Sequence, residues 1–190
     1  MPELWLIRHG ETAWSQSGKH TGRTDVPLSE EGEQRAAALG RLLGGHEFAL
    51  VLCSPLLRAR ETCRIAAPRG PVELDADLLE WDYGQYEGLL TADIRKSVPG
   101  WTVWRDGVPG GETIADVAHR ASRAIARARA AEGDVAIFAH GHFLRVLAAC
   151  WLGMAPEMGA HFALGTASLS KLGYERETPV ITGWNQSSER

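Results

Sequence analysis

Apolar segments alternate with helical patterns along this 190-residue chain, and the alternation constrains the fold more than any other feature. Strand-like runs are predicted at residues 4–8, 48–54, 135–140, 167–174 and 179–182, and helical periodicity fills most of the intervals. This order is typical of a largely parallel sheet with helices on both faces. The sequence therefore predicts an α/β fold, a three-layer α/β/α sandwich with a mostly parallel central sheet.

One predicted helix has clear signals at both ends. It should begin after the cap residue Ser29 and stop at residues 44–45, where two glycines follow each other. Its positions Ala36, Leu39 and Leu43 should face the sheet.

A second helix should begin after Thr113, whose side chain forms a capping box with Asp116. Its predicted apolar stripe comprises Ile114, Val117, Ala121, Ile125 and Ala128. Four arginines lie largely off that stripe: Arg120, Arg123, Arg127 and Arg129. We interpret them as a solvated helix face, because charges opposite an apolar stripe need no further role.

Composition bounds the organisation and the partners of the chain. A length of 190 residues with 44% hydrophobic content suits one sizeable core, so we expect one domain over residues 1–190. The formal net charge of -4 and a pI near 6.0 give no broad electrostatic reason to expect nucleic acid or an anionic membrane as a partner. Any site for an anion must therefore be formed by a local concentration of positive charge. The sequence leaves the oligomeric state open.

Cysteine content indicates the redox compartment. Cys53, Cys63 and Cys150 are odd in number and lack Cys-x-x-Cys spacing, which argues against a disulfide framework or a thiolate zinc site. The first apolar run is too short for a signal peptide or a membrane span, and no basic region precedes it. We therefore expect a cytoplasmic protein.

Side chains suited to phosphate chemistry follow three of the predicted strands. Arg8 and His9 end the first strand, Arg58 lies near a helix start after the second, and His140 ends a third. Because the carboxyl ends of parallel strands share one edge of a sheet, these side chains should converge. Phosphoryl transfer needs fixed cations around the phosphate oxygens and an in-line nucleophile, and arginine and histidine supply both.

Four segments carry this signal together: residues 8–12, 54–62, 80–88 and 139–142. In this order, and over nearly the whole chain, they resemble the histidine phosphatase superfamily, in the branch that includes the cofactor-dependent phosphoglycerate mutases. The resemblance implies a phosphoglycerate mutase-like fold. It also implies roles for five residues, with His9 as the nucleophile that becomes phosphohistidine, Glu80 as the proton donor, and Arg8, Arg58 and His140 as the phosphate clamp.

The proton-donor role of Glu80 agrees with the chemistry. An alkoxide departs poorly unless it is protonated, so a carboxyl group held protonated must lie beside it. The aromatic residues after Glu80 would exclude water from that carboxyl. Asp82 and Glu87 are alternative donors, although loop carboxylates more often bind turn backbones. The irregular stretch 80–111 around them is more typical of an active-site cover than of a linker.

Further substrate contacts are expected in the loops. Ser15, Thr21 and Gly22 are small residues that can wrap a phosphate ester through hydroxyl and backbone N–H groups. Thr21 and Gly22 match a Thr-Gly substrate contact of the mutases, and Ser15 stands where mutases usually have asparagine. Arg105 is a candidate anchor for a second phosphate or else a surface residue, and Gly141 is expected in the same pocket.

A metal site is the alternative interpretation of one motif. His140 and His142 have His-x-His spacing, but no carboxylate-rich pattern accompanies them and the phosphate clamp already explains His140. His142 either lines the pocket or caps the next helix. We therefore expect neither a metal ion nor a cofactor.

Several stretches resemble the sedoheptulose-1,7-bisphosphatase group of phosphatases: residues 14–18, 80–88, 104–107 and 138–142. The chain is also short for a mutase, which keeps extra segments that shelter phosphohistidine from water. We therefore expect a metal-independent phosphomonoesterase that acts on a small phosphorylated metabolite, with a sugar bisphosphate as a candidate. The alternatives are a cofactor-dependent phosphoglycerate mutase and a catalytically silent phosphate-binding module, and a module without catalysis would need neither nucleophile nor proton donor.

Overall fold

Six strands form one sheet in the computed structural model, which describes residues 2–187. They are β1 (Leu4–Arg8), β2 (Leu50–Cys53), β3 (Val72–Leu74), β4 (Val135–Ala139), β5 (Leu169–Glu175) and β6 (Thr178–Gln186). Their order across the sheet is β3-β2-β4-β1-β5-β6. The first four in that order are parallel, whereas β5 is antiparallel to β1 and β6 to β5. The predicted mostly parallel sheet is confirmed.

The sequence analysis did not predict β3. This strand has three residues, all exposed, and it forms the edge of the sheet beside β2. A short exposed edge strand lacks the buried apolar run by which the inner strands are recognised.

Helices flank the sheet within the described residues. The α-helices are α1 (Ala13–Ser17), α2 (Glu30–Leu43), α3 (Leu57–Ala66), α4 (Thr91–Ser97), α5 (Val103–Asp106), α6 (Ile114–Arg129) and α7 (Gly141–Trp151). Short 3-10 segments occur at Ala76–Leu78, Gly84–Tyr86 and Pro156–His161. Among residues 2–187, no helix combines the length and the apolar character that a bilayer crossing requires.

Both helices with predicted end signals form as expected. Ser29 caps α2 by accepting a backbone N–H at 3.0 Å, and α2 ends at Gly44 in the left-handed conformation. Thr113 and Asp116 form the predicted capping box of α6.

The predicted solvated arginine face of α6 is wrong at one position. Arg123 is exposed and pairs with Asp77, as a surface residue should. Arg120, by contrast, is only 8% exposed. Its guanidinium contacts the loop before Trp81, a contact across the fold that helical periodicity does not report.

The core lies on both sides of the sheet, because successive strand residues face opposite sides. Leu6 and Ile137 pack on one side with α6 and α7. Ile7 and Phe138 pack on the other with α2 and α3. The helices therefore form two outer layers around the sheet, as the predicted sandwich requires.

Candidate active site

The candidate active site lies at the carboxyl edge of the sheet, where β1, β2 and β4 end. Arg8 is the last residue of β1, and His9 follows it. Ser54 follows β2, and His140 follows β4. The strands β1 and β4 are parallel neighbours, with Arg8 opposite Ala139. Sheet topology therefore brings together residues that are up to 132 positions apart in the chain.

His9 is 5% exposed and is held in one tautomer by its hydrogen bonds. Its Nδ1 lies 2.7 Å from the carbonyl oxygen of Gly10, which can only accept, so Nδ1 carries the ring proton. Arg58 Nε donates to the other ring nitrogen, Nε2, at 3.3 Å. Nε2 is therefore the unprotonated nitrogen, the state that a nucleophilic imidazole needs.

The electrostatic surroundings keep His9 neutral. Burial lowers the pKa of His9 well below its usual range, and the positive charges of Arg58 and Arg8 lower it further. The hydrogen bond to Gly10 acts in the opposite direction but is the smallest of these causes. The same two guanidinium groups favour an anion beside the ring.

Arg58, near the start of α3, is fully buried and binds a loop as well as His9. Its Nη1 donates to the carbonyl of Thr24 at 3.0 Å, and its Nη2 donates to those of Thr21 and Gly22 at 3.1 and 2.9 Å. Thr21 and Gly22, expected as substrate contacts, thus hold Arg58 through their carbonyls. Thr21 also lines the cleft described below, whereas Gly22 does not.

The two alternative proton donors bind loop backbone. Glu87 accepts hydrogen bonds from Gly22 N at 2.9 Å and from Thr24 N at 3.1 Å, so it fixes the loop that holds Arg58. Asp82 accepts one from Gly84 N at 2.9 Å. Neither carboxylate is among the residues that line the cleft.

Thr62 connects α3 to the turn that carries His9. Its hydroxyl accepts a hydrogen bond from Gly10 N at 2.9 Å and donates one to the carbonyl of Arg58 at 2.7 Å. The turn also requires glycine, because a Cβ on Gly10 would lie 2.5 Å from the carbonyl oxygen of Gly32. Backbone packing therefore fixes the position of His9.

His140 lies behind His9, with the two ring centroids 5.2 Å apart. His140 Nε2 is 2.7 Å from the hydroxyl of Ser54, while the buried Nδ1 has no hydrogen-bond partner among the described residues. Burial and the charge of Arg58 lower the pKa of His140 well below its usual range. If Ser54 donates to Nε2, neutral His140 keeps a proton on Nδ1 with which to bind an anion.

Arg8 projects into the cleft from the end of β1. One guanidinium nitrogen, Nη1, donates to the carbonyl of Leu164, while the buried Nε has no partner in the described part of the chain. Gly141 leaves room for this side chain, since a Cβ there would lie 3.1 Å from Arg8 Cζ. Like His140, Arg8 thus holds an unpaired buried donor suited to a phosphate oxygen.

Glu80 faces the same cleft and is held by three backbone N–H groups. Its Oε1 accepts from Trp81 N and Phe143 N, both at 2.9 Å, and its Oε2 accepts from His142 N at 3.1 Å. Two of these donors belong to the first turn of α7, where backbone N–H groups lack helical partners. Oε2 keeps one more lone pair free than Oε1, so it is the oxygen better placed to carry a transferable proton.

The cleft has a volume of about 200 Å³. Its walls include Arg8, His9, Glu80 and Gly141, together with Ser15, Lys19, His20, Thr21, Tyr83, His142, Arg145 and Leu164. Arg58 and His140 lie beneath it, in contact with His9. A space of this size holds a small molecule.

His142 is a wall residue whose partner is Tyr83. Its Nδ1 lies 2.5 Å from the Tyr83 hydroxyl, and burial lowers its pKa well below the usual range. Its backbone N–H also binds Glu80 at the start of α7. Within residues 2–187, no group of three or more His, Cys, Asp and Glu side chains is arranged to hold a metal ion.

The structure does not bring Arg105 to this cleft. Its side chain is 67% exposed and pairs with the neighbouring Asp106 at 2.9 Å. It borders a separate cavity beside Trp104, so the expected role as an anchor in the His9 pocket is corrected.

Ser15 does reach the cleft, but its hydroxyl is already bonded to the backbone of Thr12 in the α1 capping box.

Sequence reasoning missed four residues that this geometry uses: Ser54, Thr62, Lys19 and Arg145. For Ser54, its position at the end of an apolar strand was an available signal. Thr62 acts through Gly10, which is 52 positions away, and Lys19 and Arg145 are brought to the cleft by the folding of the chain, so local periodicity carries no signal of these roles.

A buried neutral histidine between two arginines, with a carboxyl group across the cleft, suits phosphoryl transfer. The chain matches the family model described as the histidine phosphatase superfamily (branch 1) over residues 4–187. The chain therefore belongs to this superfamily, and the resemblance inferred from the four segments is confirmed.

Individual relatives agree with this membership. The chain is 44% identical over 176 residues to an acid phosphatase of Mycobacterium tuberculosis, covering 90% of this chain and 86% of the relative. It is 39% identical over 185 residues to sedoheptulose 1,7-bisphosphatase of Saccharomyces cerevisiae, covering 80% and 68%. The solved structure of an open reading frame product from M. tuberculosis matches with a TM-score of 0.94 at 39% identity, covering 99% of both chains.

Proposed function

We propose that this protein hydrolyses small phosphate monoesters through a phosphohistidine at His9. The observation that carries the proposal is the state of His9, a neutral imidazole whose proton is fixed on Nδ1 and whose Nε2 lies beside two guanidinium groups. A site that only bound phosphate would not need a nucleophile in this state. Relatives named acid phosphatase and bisphosphatase also support hydrolysis.

The first step transfers the phosphoryl group to His9. Nε2 attacks phosphorus, the ester P–O bond breaks, and the leaving oxygen takes a proton from Glu80 Oε2. Arg8 Nε and His140 Nδ1, which have no partner in the described structure, donate to the phosphoryl oxygens as charge spreads over them. Arg58 adds a fixed positive charge below the ring.

The second step reverses the proton transfer. Water attacks the phosphohistidine, the P–N bond breaks, and Glu80 accepts a proton from that water. Inorganic phosphate leaves and Nε2 recovers its lone pair. The three N–H groups around Glu80 hold the carboxylate that exists between the two steps.

A trapped intermediate tests this assignment. Rapid acid-free denaturation of the enzyme with radiolabelled substrate should capture a phosphoenzyme that is stable to base and labile to acid. His9→Ala should lack both this species and turnover, with a loss of at least about 10³-fold in kcat. His119→Ala, an exposed histidine on α6, is the matched control. Hydrolysis by a folded His9→Ala protein would contradict the nucleophile assignment.

We further propose that the reaction needs no metal ion, because Arg8 and Arg58 supply the positive charge around the phosphate. Dialysis against EDTA should leave kcat unchanged. Activity that is lost on dialysis and restored by one divalent ion would contradict this part of the proposal.

The charge of the cleft favours a substrate with a second anionic group. Three cationic side chains line it, those of Arg8, Lys19 and Arg145, against the one carboxylate of Glu80. Arg145 donates to the carbonyls of Gly159 and Ala160 at 2.9 Å but pairs with no carboxylate among residues 2–187. Arg8 and Arg58 supply the positive charge for the phosphate that is transferred, so Lys19 and Arg145 are free to bind a second phosphate of the same substrate. A sugar bisphosphate is therefore the substrate class that we propose.

Paired substrates test this substrate class. Fructose 1,6-bisphosphate and fructose 6-phosphate differ by one phosphate, and Arg145→Gln should lower kcat/KM for the bisphosphate at least about tenfold more than for the monophosphate. Isomerisation of 3-phosphoglycerate should be negligible beside phosphate release. Robust isomerisation without phosphate release would instead favour a mutase.

We also propose a cytoplasmic location. Cys53, Cys63 and Cys150 are all free thiols in the structure, which is usual for a reducing compartment.

A further inference from the structure

Arg120 on α6 is a buried arginine whose five N–H groups all bind the region around Glu80. Nη1 donates to the carbonyls of Asp77 and Leu79 at 2.6 and 2.8 Å. Nη2 donates to the carbonyl of Glu80 itself at 3.5 Å and to Glu112 at 2.9 Å, and Nε also donates to Glu112. Three of the five donors therefore bind the backbone of residues 77–80 and two bind the Glu112 carboxylate, so the guanidinium joins Glu112 to the loop that carries Glu80.

Glu112 binds both Arg120 and the backbone that follows Glu80. Its carboxylate receives a two-pronged bond from Arg120 and a third hydrogen bond from Asp82 N at 3.0 Å. Its carbonyl oxygen accepts from the indole N–H of Trp81 at 2.8 Å. The Arg120–Glu112 pair therefore holds the backbone on both sides of Glu80.

The same arginine also reaches the group that binds the Glu80 carboxyl. Arg120 Cζ lies 5.2 Å from the ring centroid of Phe143, and Phe143 N donates to Glu80 Oε1. One side chain thus contacts both the loop that carries the carboxyl and the helix turn that receives it. Neither Arg120 nor Glu112 lines the cleft, so neither touches the substrate.

We propose that Arg120 and Glu112 are positioning residues that aim the Glu80 carboxyl at the leaving oxygen of the substrate. This inference rests on the proposed role of Glu80 as the proton donor. An error of about 1 Å in the position of such a group costs on the order of 10²-fold in rate. The loss should fall on leaving groups that need a proton, which distinguishes positioning from a general loss of stability.

The requirement is for the geometry of arginine rather than for its charge alone. A lysine ammonium has three donors on a single nitrogen and cannot make the planar two-pronged bond to Glu112 while also reaching Asp77 and Leu79. Arg120→Lys should therefore not restore the function of Arg120→Met.

The experiment compares two esters in each variant. Ethyl phosphate has an alkoxide leaving group that needs protonation, whereas p-nitrophenyl phosphate has a leaving group that does not. In Arg120→Met and Arg120→Lys, kcat for ethyl phosphate should fall about 10²-fold, kcat for p-nitrophenyl phosphate should fall less than about threefold, and inhibition by inorganic phosphate should be unchanged.

Arg123→Met is the matched control. Arg123 lies on the same helix and pairs with Asp77 in the same loop, but its side chain is 59% exposed and it makes no contact with Glu80 or Glu112 in the described structure. Both kcat values should be unchanged in this variant. Glu112→Gln keeps the size of the side chain and should reproduce the selective loss, so it carries the test if the Arg120 variants fail to fold.

Two results would overturn the inference: equal losses on both esters, which would indicate a merely structural role, or no loss on either. The variant Glu80→Gln, alone and combined with Arg120→Met, distinguishes a failure of the positioning role from a failure of the acid role proposed for Glu80. If Glu80 is the acid, Glu80→Gln alone is selective for ethyl phosphate and Arg120→Met adds little to it. If Glu80→Gln shows no selectivity, the acid assignment is wrong and the positioning role falls with it.

Discussion

The two halves of the site are held in place by different means. His9 lies at the end of a buried strand, and the turn that carries it is fixed by backbone packing against Gly32 and by Thr62. Glu80 lies outside the sheet in an irregular loop, which is held by the side chains of Arg120 and Glu112. Sheet topology therefore places His9, the proposed nucleophile, whereas a buried polar network places the Glu80 carboxyl group.

Because the two halves are held by different contacts, substitutions in them should have different effects on the turnover of phosphate esters. A substitution on the His9 side should lower the turnover of every ester, because it weakens both charge stabilisation and nucleophilic attack. A substitution on the Glu80 side should lower the turnover only of esters with a poor leaving group, because only these need the donated proton. The predictions below use that difference, from the largest expected effect to the smallest.

Glu80→Gln should separate the two halves most clearly. Glutamine cannot donate a carboxyl proton, so kcat for ethyl phosphate should fall by about 10²–10⁴-fold while p-nitrophenyl phosphate is much less affected. The phosphoenzyme should still form from the aryl ester. Equal losses on the two esters would contradict the assignment of Glu80 as the acid.

Acidification should destabilise both halves together. Burial, aided by nearby guanidinium groups, lowers the pKa values of His9, His140 and His142 well below their usual range. As the pH falls through about 6.5, the unfolded chain binds protons at these histidines while the folded protein does not. The free energy of unfolding should therefore fall, by about 1.4 kcal/mol per pH unit for each such proton.

Urea unfolding at pH 7.5 and pH 5.5 measures this dependence. His142→Asn removes one of the three groups and should make the dependence shallower. An unfolding midpoint that does not move between the two pH values would show that the pKa values of these histidines are not lowered in the folded protein.

Thr62→Val should weaken the nucleophile side alone. The substitution keeps the shape of the side chain but leaves Gly10 N–H buried without its acceptor, which costs about 1–3 kcal/mol of unfolding free energy. Turnover of ethyl and p-nitrophenyl phosphate should fall by the same factor. Thr182→Val, at an exposed position of β6, is the control and should change stability by less than about 0.5 kcal/mol. A selective loss on ethyl phosphate in Thr62→Val would contradict the division into two halves.

Arg105→Gln should have the smallest effect, because this side chain belongs to neither half. It is exposed and paired with Asp106, outside the His9 cleft. Its kcat/KM values for fructose 1,6-bisphosphate and fructose 6-phosphate should both stay within about twofold of the unaltered protein. A loss confined to the bisphosphate would restore Arg105 as the distal anchor in place of Arg145.

Much of the fold was predictable because it depends on local pattern. The runs that form β1, β2 and β4 are continuous and apolar, and the caps at Ser29 and Thr113 are local signals. The three-residue strand β3 was missed because an exposed edge strand has no such pattern. Arg120 was misread for a related reason, since its partners are carbonyls some 40 positions away.

The sequence by itself determined the mostly parallel sheet and indicated the family. The ends of the strands pointed to His9 and His140, the helix start after β2 pointed to Arg58, and the resemblance to the family pointed to Glu80. Only the tertiary structure decided how those groups are oriented and which cations share their cleft. It placed Arg145 there and Arg105 elsewhere, although both are arginines in helical segments. The physical reason is that hydrogen bonds and burial depend on contacts between distant elements, and a one-dimensional pattern does not contain those contacts.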